Sequence, residues 1–486
     1  MLPASSLTAA RRWFLPSLVD VFFCALLVAI VAGPGGWQSL LADGDTGWHI
    51  RTGEIVLDSG AVPSADPFSF SRAGERWFAW EWLADVAFAS AWRWGGIGPV
   101  AALSAVILCL SAAVLLAWLL RREAGLAIGL AVALAAASAT TVHALARPHV
   151  FSILFYTIAL WVLDEDRKRR GWHVWALVPL CAVWANVHGA FVALPATLAL
   201  CAVVDRSWRY ASVALVSGAA TLVNPYGWQL HAHIVQYLGS SWIMRHVQEF
   251  QSPSIRSEGM VVFAVMLLVA AAVSLRADRF EGVLALAWGF ASLRSARHIP
   301  LFALAAAPVI ATEAARWWCE NASRQRAGAV SRVLWSLSQD LGRCRGATVW
   351  LAVAAVTAVA APRGLELDFP DGRFPVQAVE QHAQSLASAR VLTSDQWADY
   401  LIYRLFPRQR VFFDGRSDFY GPALGGEYRE LMAAAPGWRE VLRRHGFDRA
   451  LLPRDWPLST ILDREPGWRR VYEDAAGSLF VREEIR

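Results

Sequence analysis

Charge is what this 486-residue sequence has least of. Charged residues make up 17% of it, against about a quarter in an ordinary soluble domain, so the chain lacks the polar surface of a water-soluble protein. Lysine is nearly missing: Lys168 is the only one, and the other basic residues are arginines. There is no P-loop, no dinucleotide-binding glycine fingerprint, no paired CxxC zinc site and no Gly-x-Ser-x-Gly elbow. Nucleotide-driven and serine-nucleophile chemistry are therefore unsupported. The sequence shows neither an internal repeat nor a low-complexity segment. Its net charge of +5 does not argue for nucleic acid, because the basic residues sit in short loops between apolar runs.

Those runs are what the sequence has instead. Apolar residues are 56% of the chain and mean hydropathy is +0.37. They fall into blocks of roughly the length that crosses a hydrocarbon core of about 30 Å, and a span of that kind satisfies its backbone hydrogen bonds as a helix. The expected spans are 15–34, 97–120, 124–142, 149–163, 172–188, 190–204, 210–223, 260–276, 281–293, 299–315 and 347–361. The fold class is thus a polytopic α-helical membrane protein of about eleven helices. The first block follows Arg11 and Arg12 but lacks a convincing small-residue cleavage site, so it reads as a retained helix.

The positive-inside rule gives an orientation. With the N-terminus in the cytoplasm, Arg121-Arg122, Arg167-Lys168-Arg169-Arg170, Arg206, Arg209, Arg276 and Arg279 fall inside, as do Arg316, Arg324, Arg326, Arg332, Arg343 and Arg345. Arg294 and Arg297 break the pattern, and an exception to a statistical rule is a place to look for function. Cys24, Cys109, Cys181 and Cys201 fall in spans and Cys319 and Cys344 in a cytoplasmic loop, so no disulfide is expected. His49, His143, His149, His188, His231, His233, His246 and His298 all map to the outer side, as if lining an outward-facing cavity.

Three outer regions stand out. Loop 35–96 opens with Asp43-Gly44-Asp45-Thr46-Gly47-Trp48-His49, where Asp43 or Asp45 is placed to cap a helix. Its Trp48, Trp77, Trp80, Trp82 and Trp92 suggest helices lying in the membrane interface. Loop 224–259 is long and without obvious structure, as substrate lids often are. The tail 362–486 has the composition of a small α/β domain outside the cytoplasm. Its expected strands are Val391-Leu392-Thr393, Val411-Phe412-Phe413, Ala450-Leu451-Leu452, Val471-Tyr472 and Leu479-Phe480-Val481, with helices over 395–405 and 427–446. Domain one is then 1–361 and domain two 362–486.

Asp45 and His49 are four residues apart and would share a helix face. A carboxylate beside an imidazole serves as a general base or, less specifically, as part of a divalent metal site; the bland reading is a solvated charge or a cap. Glu81 and Asp85 repeat the spacing within an aromatic stretch, where an acid is costly unless paired or used. Arg147, His149, His188, Arg294, Arg297 and His298 sit at outer span ends, where arginines ordinarily snorkel to water. Converging at one depth, they would hold a phosphate or diphosphate. Asp414-Gly415-Arg416-Ser417-Asp418 reads as a polar turn with an internal salt bridge.

With Asp45-Thr46-Gly47-Trp48-His49-Ile50 just past the first span, Gly60-Ala61-Val62-Pro63, the stretch to Glu81 and Trp94-Gly95-Gly96 before the second span, the chain resembles the GT-C superfamily of membrane glycosyltransferases. Aminoarabinose transferases and protein O-mannosyltransferases place an Asp, usually of an Asp-Glu pair, on a helix at this point; here Thr46 follows Asp45. The resemblance implies a polyprenyl-phosphate-linked sugar donor, an acceptor that remains open, and Asp45 as base with His49 and Glu81 beside it. It also implies a multi-pass place in a bacterial inner membrane with a periplasmic tail. Two other classes compete: a lipid or polysaccharide transporter or flippase, which would show inverted repeats, and a non-catalytic envelope assembly factor, which would lack a deep polar cavity.

Overall fold

The computed structural model describes residues 14–256, 258–323, 329–341 and 347–483. Arg11, Arg12, Arg324, Arg326, Arg343, Cys344 and Arg345 lie outside the described residues. Each of the apolar segments expected to span is helical, from Leu18–Ala32 and Ile97–Arg121 to Val349–Ala360. On length and composition, Ile97–Arg121, Leu126–His143 and Ala296–Asn321 are the three described helices able to cross a membrane. Leu18–Ala32, Trp172–Trp184, Gly189–Val204, Gly259–Ser274 and Val349–Ala360 are apolar but shorter.

Local chemistry sets the ends of these helices. Ser17 and Asp20 form a reciprocal capping box at the start of Leu18–Ala32. Asp20 also accepts from the Thr348 backbone N–H at 3.0 Å and its hydroxyl at 2.6 Å, tying the first apolar helix to the last. At the far ends of Ile97–Arg121 and His149–Lys168, Arg122 pairs with Asp164 and Glu281, and Arg167 with Asp205 and Asp278.

The C-terminal region carries a four-stranded sheet in the order β1 (Val391–Leu392), β2 (Arg449–Pro453), β4 (Gly477–Arg482), β3 (Trp468–Glu473). β1 runs parallel to β2, with Val391 opposite Arg449, and the other pairs are antiparallel. The helices Asp395–Leu405, Ser417–Met432 and Trp438–His445 fall between β1 and β2 in the chain. The expected strand at Val411-Phe412-Phe413 does not join this sheet. Its backbone is taken by the first loop instead, with Val411 N–H donating to Phe68 O and Phe70 N–H to Val411 O. The expected helix 427–446 is broken between Met432 and Trp438.

That exchange is one part of a larger fusion. Trp48, Phe68, Trp77 and Phe88 of the first loop share one buried core with Phe369, Trp397, Tyr400, Leu401 and Leu479 of the C-terminal region. Burying each such side chain contributes about 1.5–3 kcal/mol. Trp48 and Trp77 are therefore interior residues, while Trp80, Trp82 and Trp92 are half-buried. Loop 224–259, expected without structure, contains the helices Trp228–Gly239 and Ser241–His246.

Candidate active site

The helix Asp45–Ser59 packs along Asp395–Leu405. Gly47 permits the contact: a Cβ there would lie 2.5 Å from the Asp399 carbonyl oxygen and 2.9 Å from Tyr403 Cβ. The helix begins on Gly44 with no side-chain cap, and the Asp43 carboxylate accepts from Asp45 N–H at 3.0 Å. Asp45 is thereby freed from capping and faces a cavity of about 660 Å³. The walls of this cavity come from the first loop, the bundle, loop 224–259 and the C-terminal region.

One wall is acidic and closely matched. Arg147 lies at its centre, with Nη2 2.8 Å from Asp45 Oδ2 and Nη1 3.0 Å from Asp43 Oδ2 and 2.7 Å from Glu249 Oε1. Burial raises the Asp45 carboxyl to about 7 in spite of Arg147. Burial works on Glu249 too, but Arg147, His143 and Arg297 together hold it well below the usual carboxylate range. Glu81 has no arginine partner, and burial pushes it up to about 8.

His49 stands behind this wall. Its Nδ1 lies 2.6 Å from Asp85 Oδ1 and its Nε2 3.7 Å from Glu81 Oε2. Burial holds His49 well below and Asp85 well above their ordinary ranges, which disfavours a charged pair here. Glu81 Oε1 is 3.6 Å from His188 Nε2, and His188 Nδ1 is 2.8 Å from Ser152 Oγ. His149 lines the cavity with its Nε2 against the His143 carbonyl.

A second, basic wall adjoins it at Glu249, whose carbonyl accepts from Ser295 Oγ at 3.0 Å. The Arg297 guanidinium lies 4.3 Å from the Phe250 ring centre and 5.8 Å from that of Tyr237, and its Nη1 is buried without a hydrogen-bond partner. His298 stacks on Trp288 at 5.8 Å with Nδ1 unpartnered, and His143 Nε2 is likewise unpartnered. Asp418 from the C-terminal region meets His233 of loop 224–259 at 3.0 Å across the cavity's side.

The structure thus brings Asp45, Glu81, Arg147, His149, His188, Arg297 and His298 around one cavity, with His49 just behind Glu81. Arg294 is exposed and apart from the lining residues. Arg147, expected among phosphate contacts, is engaged by three carboxylates. The 414–418 turn has its internal salt bridge, Arg416 to Asp414 at 2.6 Å, yet Gly415, Arg416, Ser417 and Asp418 also line the cavity. Sequence reasoning missed Asp399. It lies four residues from Asp395 on a helix whose neighbours Trp397, Ala398 and Tyr400 are buried, a spacing that marks an acid on an inward face. Among the described residues, no group of three His, Cys, Asp or Glu is spaced to hold a metal ion. Asp43, Asp45 and Glu249 converge on a guanidinium instead.

No protein-family model and no curated protein matches the sequence. Solved structures do match its shape. An apo oligosaccharyltransferase from Archaeoglobus fulgidus superimposes with TM-score 0.57 at 11% identity, over 90% of this chain and 69% of that one. The same enzyme tethered to an acceptor peptide containing the NVT sequon gives 0.56 at 11% identity, over 96% and 74%. ArnT from Cupriavidus metallidurans in the apo state gives 0.51 at 14% identity, over 95% and 97%. The chain has the fold of GT-C glycosyltransferases. The likeness to ArnT extends over nearly the whole of both chains, so it includes the C-terminal region as well as the helices.

Proposed function

We propose that this protein is a membrane glycosyltransferase that moves a sugar from a polyprenyl-phosphate donor to an acceptor hydroxyl on the extracytoplasmic face. The observation that carries the reading is the cavity's polarity: carboxyls along one part of its lining, and along another a half-buried guanidinium whose Nη1 is buried and unpartnered. A glycosyl phosphate needs that division, a base beside the attacking hydroxyl and a cation beside the leaving phosphate. The shared fold supports it.

In this reading Asp45 takes the acceptor's hydroxyl proton as its oxygen bonds to the anomeric carbon. The bond from that carbon to the phosphate oxygen breaks, and polyprenyl phosphate leaves with the electron pair. Arg297 and His298 hold the leaving phosphate through hydrogen bonds that strengthen as its charge grows. Glu81, protonated near neutral pH, donates to a sugar oxygen and is itself positioned by His49 and His188. Arg147 opposes the effect of burial and favours the ionised form of Asp45. The half-buried aromatic side chains of Phe78 and Trp80 line the cavity and suit contact with a sugar face.

The same reading places the N-terminus in the cytoplasm, about eleven helices across a bacterial inner membrane, and the C-terminal region in the periplasm. Arg297, one of the two exceptions to the charge bias, is then on the outer side because it serves the donor phosphate. Purified Asp45→Asn protein tests the proposal: it should bind a polyprenyl-phosphate sugar and lose transfer by about 10²–10⁴-fold. Unchanged transfer would remove Asp45 from the mechanism.

A further inference from the structure

The acidic wall holds a second carboxyl that the mechanism does not use. Asp399 is fully buried on Asp395–Leu405, and its Oδ1 accepts from Gly415 N–H at 3.1 Å. Its Oδ2 has no partner, and neither does Asp45 Oδ1, although Asp45 is only 6% exposed. The two orphan oxygens face each other across Gly415. A Cβ on Gly415 would lie 2.9 Å from Asp399 Oδ2 and would collide with Asp45 Oδ1. Two unpartnered carboxylate oxygens side by side, out of water, are untenable as two charges. A single proton between them resolves both at once.

We propose that Asp399 is a positioning residue of the C-terminal region that carries this proton and donates it as a hydrogen bond to Asp45 Oδ1. The surroundings decide which carboxyl is neutral. Asp45 Oδ2 has Arg147, with Asp43 and Glu249 sharing that cation. Among the described residues no salt bridge reaches Asp399, and the charges that act on it most are those of Asp45, Asp414 and Asp395. The proton therefore rests on Asp399 and the charge on Asp45. Burial and this crowd of acids hold Asp399 well above the ordinary range, in keeping with the assignment.

The consequence for the proposed chemistry, which rests on Asp45 being the base, is that the base is complete only when the C-terminal region is docked. Asp45 is then fixed through one oxygen by Arg147 of the bundle and through the other by Asp399. This geometry ties catalytic competence to a contact between residues 354 positions apart in sequence.

Infrared spectroscopy of the purified full-length chain in lipid nanodiscs, without substrate, tests the pairing apart from any activity. Near neutral pH, Asp399→Asn should lose one protonated-carboxyl stretch, since the amide keeps the hydrogen bond without a proton to titrate. Asp45→Asn should retain that band at a shifted frequency, because Asp399 stays protonated against a changed partner. Glu81→Gln identifies the separate Glu81 signal. A protonated-carboxyl spectrum unchanged in Asp399→Asn would overturn the proposal. Should that variant fail to fold, an unshifted band in Asp45→Asn would overturn it alone. Where sugar transfer is measurable, Asp399→Ala should move the acid limb of its pH profile upward while Asp399→Asn leaves it in place. A chain that shows the expected bands but transfers no sugar would sink the glycosyl-transfer reading and leave the pairing standing.

Discussion

The two walls of the cavity are built on opposite principles. On the acidic wall, Arg147 is met by Asp43, Asp45 and Glu249 within 3.0 Å. On the basic wall, Arg297 leans on the rings of Phe250 and Tyr237 and leaves Nη1 without a partner, as His298 leaves Nδ1. Buried polar atoms in native proteins are nearly all satisfied, so an orphan marks either a shared proton, as proposed for Asp45 Oδ1 and Asp399 Oδ2, or a place for a ligand, as proposed for Arg297 Nη1. On the proposed reading, Arg147 has its partners before substrate arrives, and Arg297 is completed by substrate. Structural ion networks and ligand sites can look alike in sequence, and this difference in satisfaction separates them.

If the contrast is sound, the two arginines should fail differently. Arg147→Ala strands three carboxylates around a missing cation, and the expected effect is the largest: a loss of about 3–5 kcal/mol in stability, read from thermal unfolding of the purified protein. Arg297→Ala should leave unfolding nearly unchanged while weakening binding of polyprenyl phosphate about 10–100-fold, the worth of a charge-assisted hydrogen bond. A stability loss as large as that of Arg147→Ala would erase the distinction between the walls.

Protonation sharpens the comparison further. Glu81 titrates near 8 in the folded protein against an ordinary value of 4.5, so the folded state holds a proton that the unfolded state has released between those values. Its contribution to stability is whole below about 4.5 and is lost as pH rises towards about 8. Glu249, held low, runs the other way, and its contribution is lost only as pH falls through the acid range. The wild-type unfolding temperature should therefore fall relative to that of Glu81→Gln as pH rises from about 5 to about 8, while the buried His143 and His188, held low, contribute with the opposite sign in both proteins. An unaltered slope in that variant would mean that Glu81 is ionised throughout. The smallest effect belongs to Arg294→Ala: exposed and away from the cavity, it should change stability by less than about 0.5 kcal/mol and leave transfer intact.

Much of the fold is legible in the residues, and the reason is local. Apolar runs in a chain this poor in charge have few alternatives to helices, and every such segment is one. β1, β2, β3 and β4 and the helix Asp395–Leu405 follow from alternation and turn residues within a dozen positions. Val411-Phe412-Phe413 has the same strand character but spends its hydrogen bonds on the first loop, a partner that no short window contains. Trp48 and Trp77 were equally ambiguous. An aromatic beside a membrane segment suits an interface or a protein core, and only the docking of the C-terminal region put them in the core.

The candidate site divides along the same line. Spacing alone placed Asp45 and His49 on one helix, whereas charge bias singled out Arg294 and Arg297 together, of which Arg297 lines the cavity and Arg294 does not. The sequence by itself determined the helices, the scarcity of charge that makes each buried ion conspicuous, and the residue types available for chemistry. The tertiary structure decided which of them meet. Arg147 reaches Glu249 across 102 positions, and Asp45 reaches Asp399 across 354. Those meetings depend on helix packing and on glycines that let backbones touch. A carboxylate's partner is set by distance in space, where the electrostatic energy lies, and local periodicity carries no record of it.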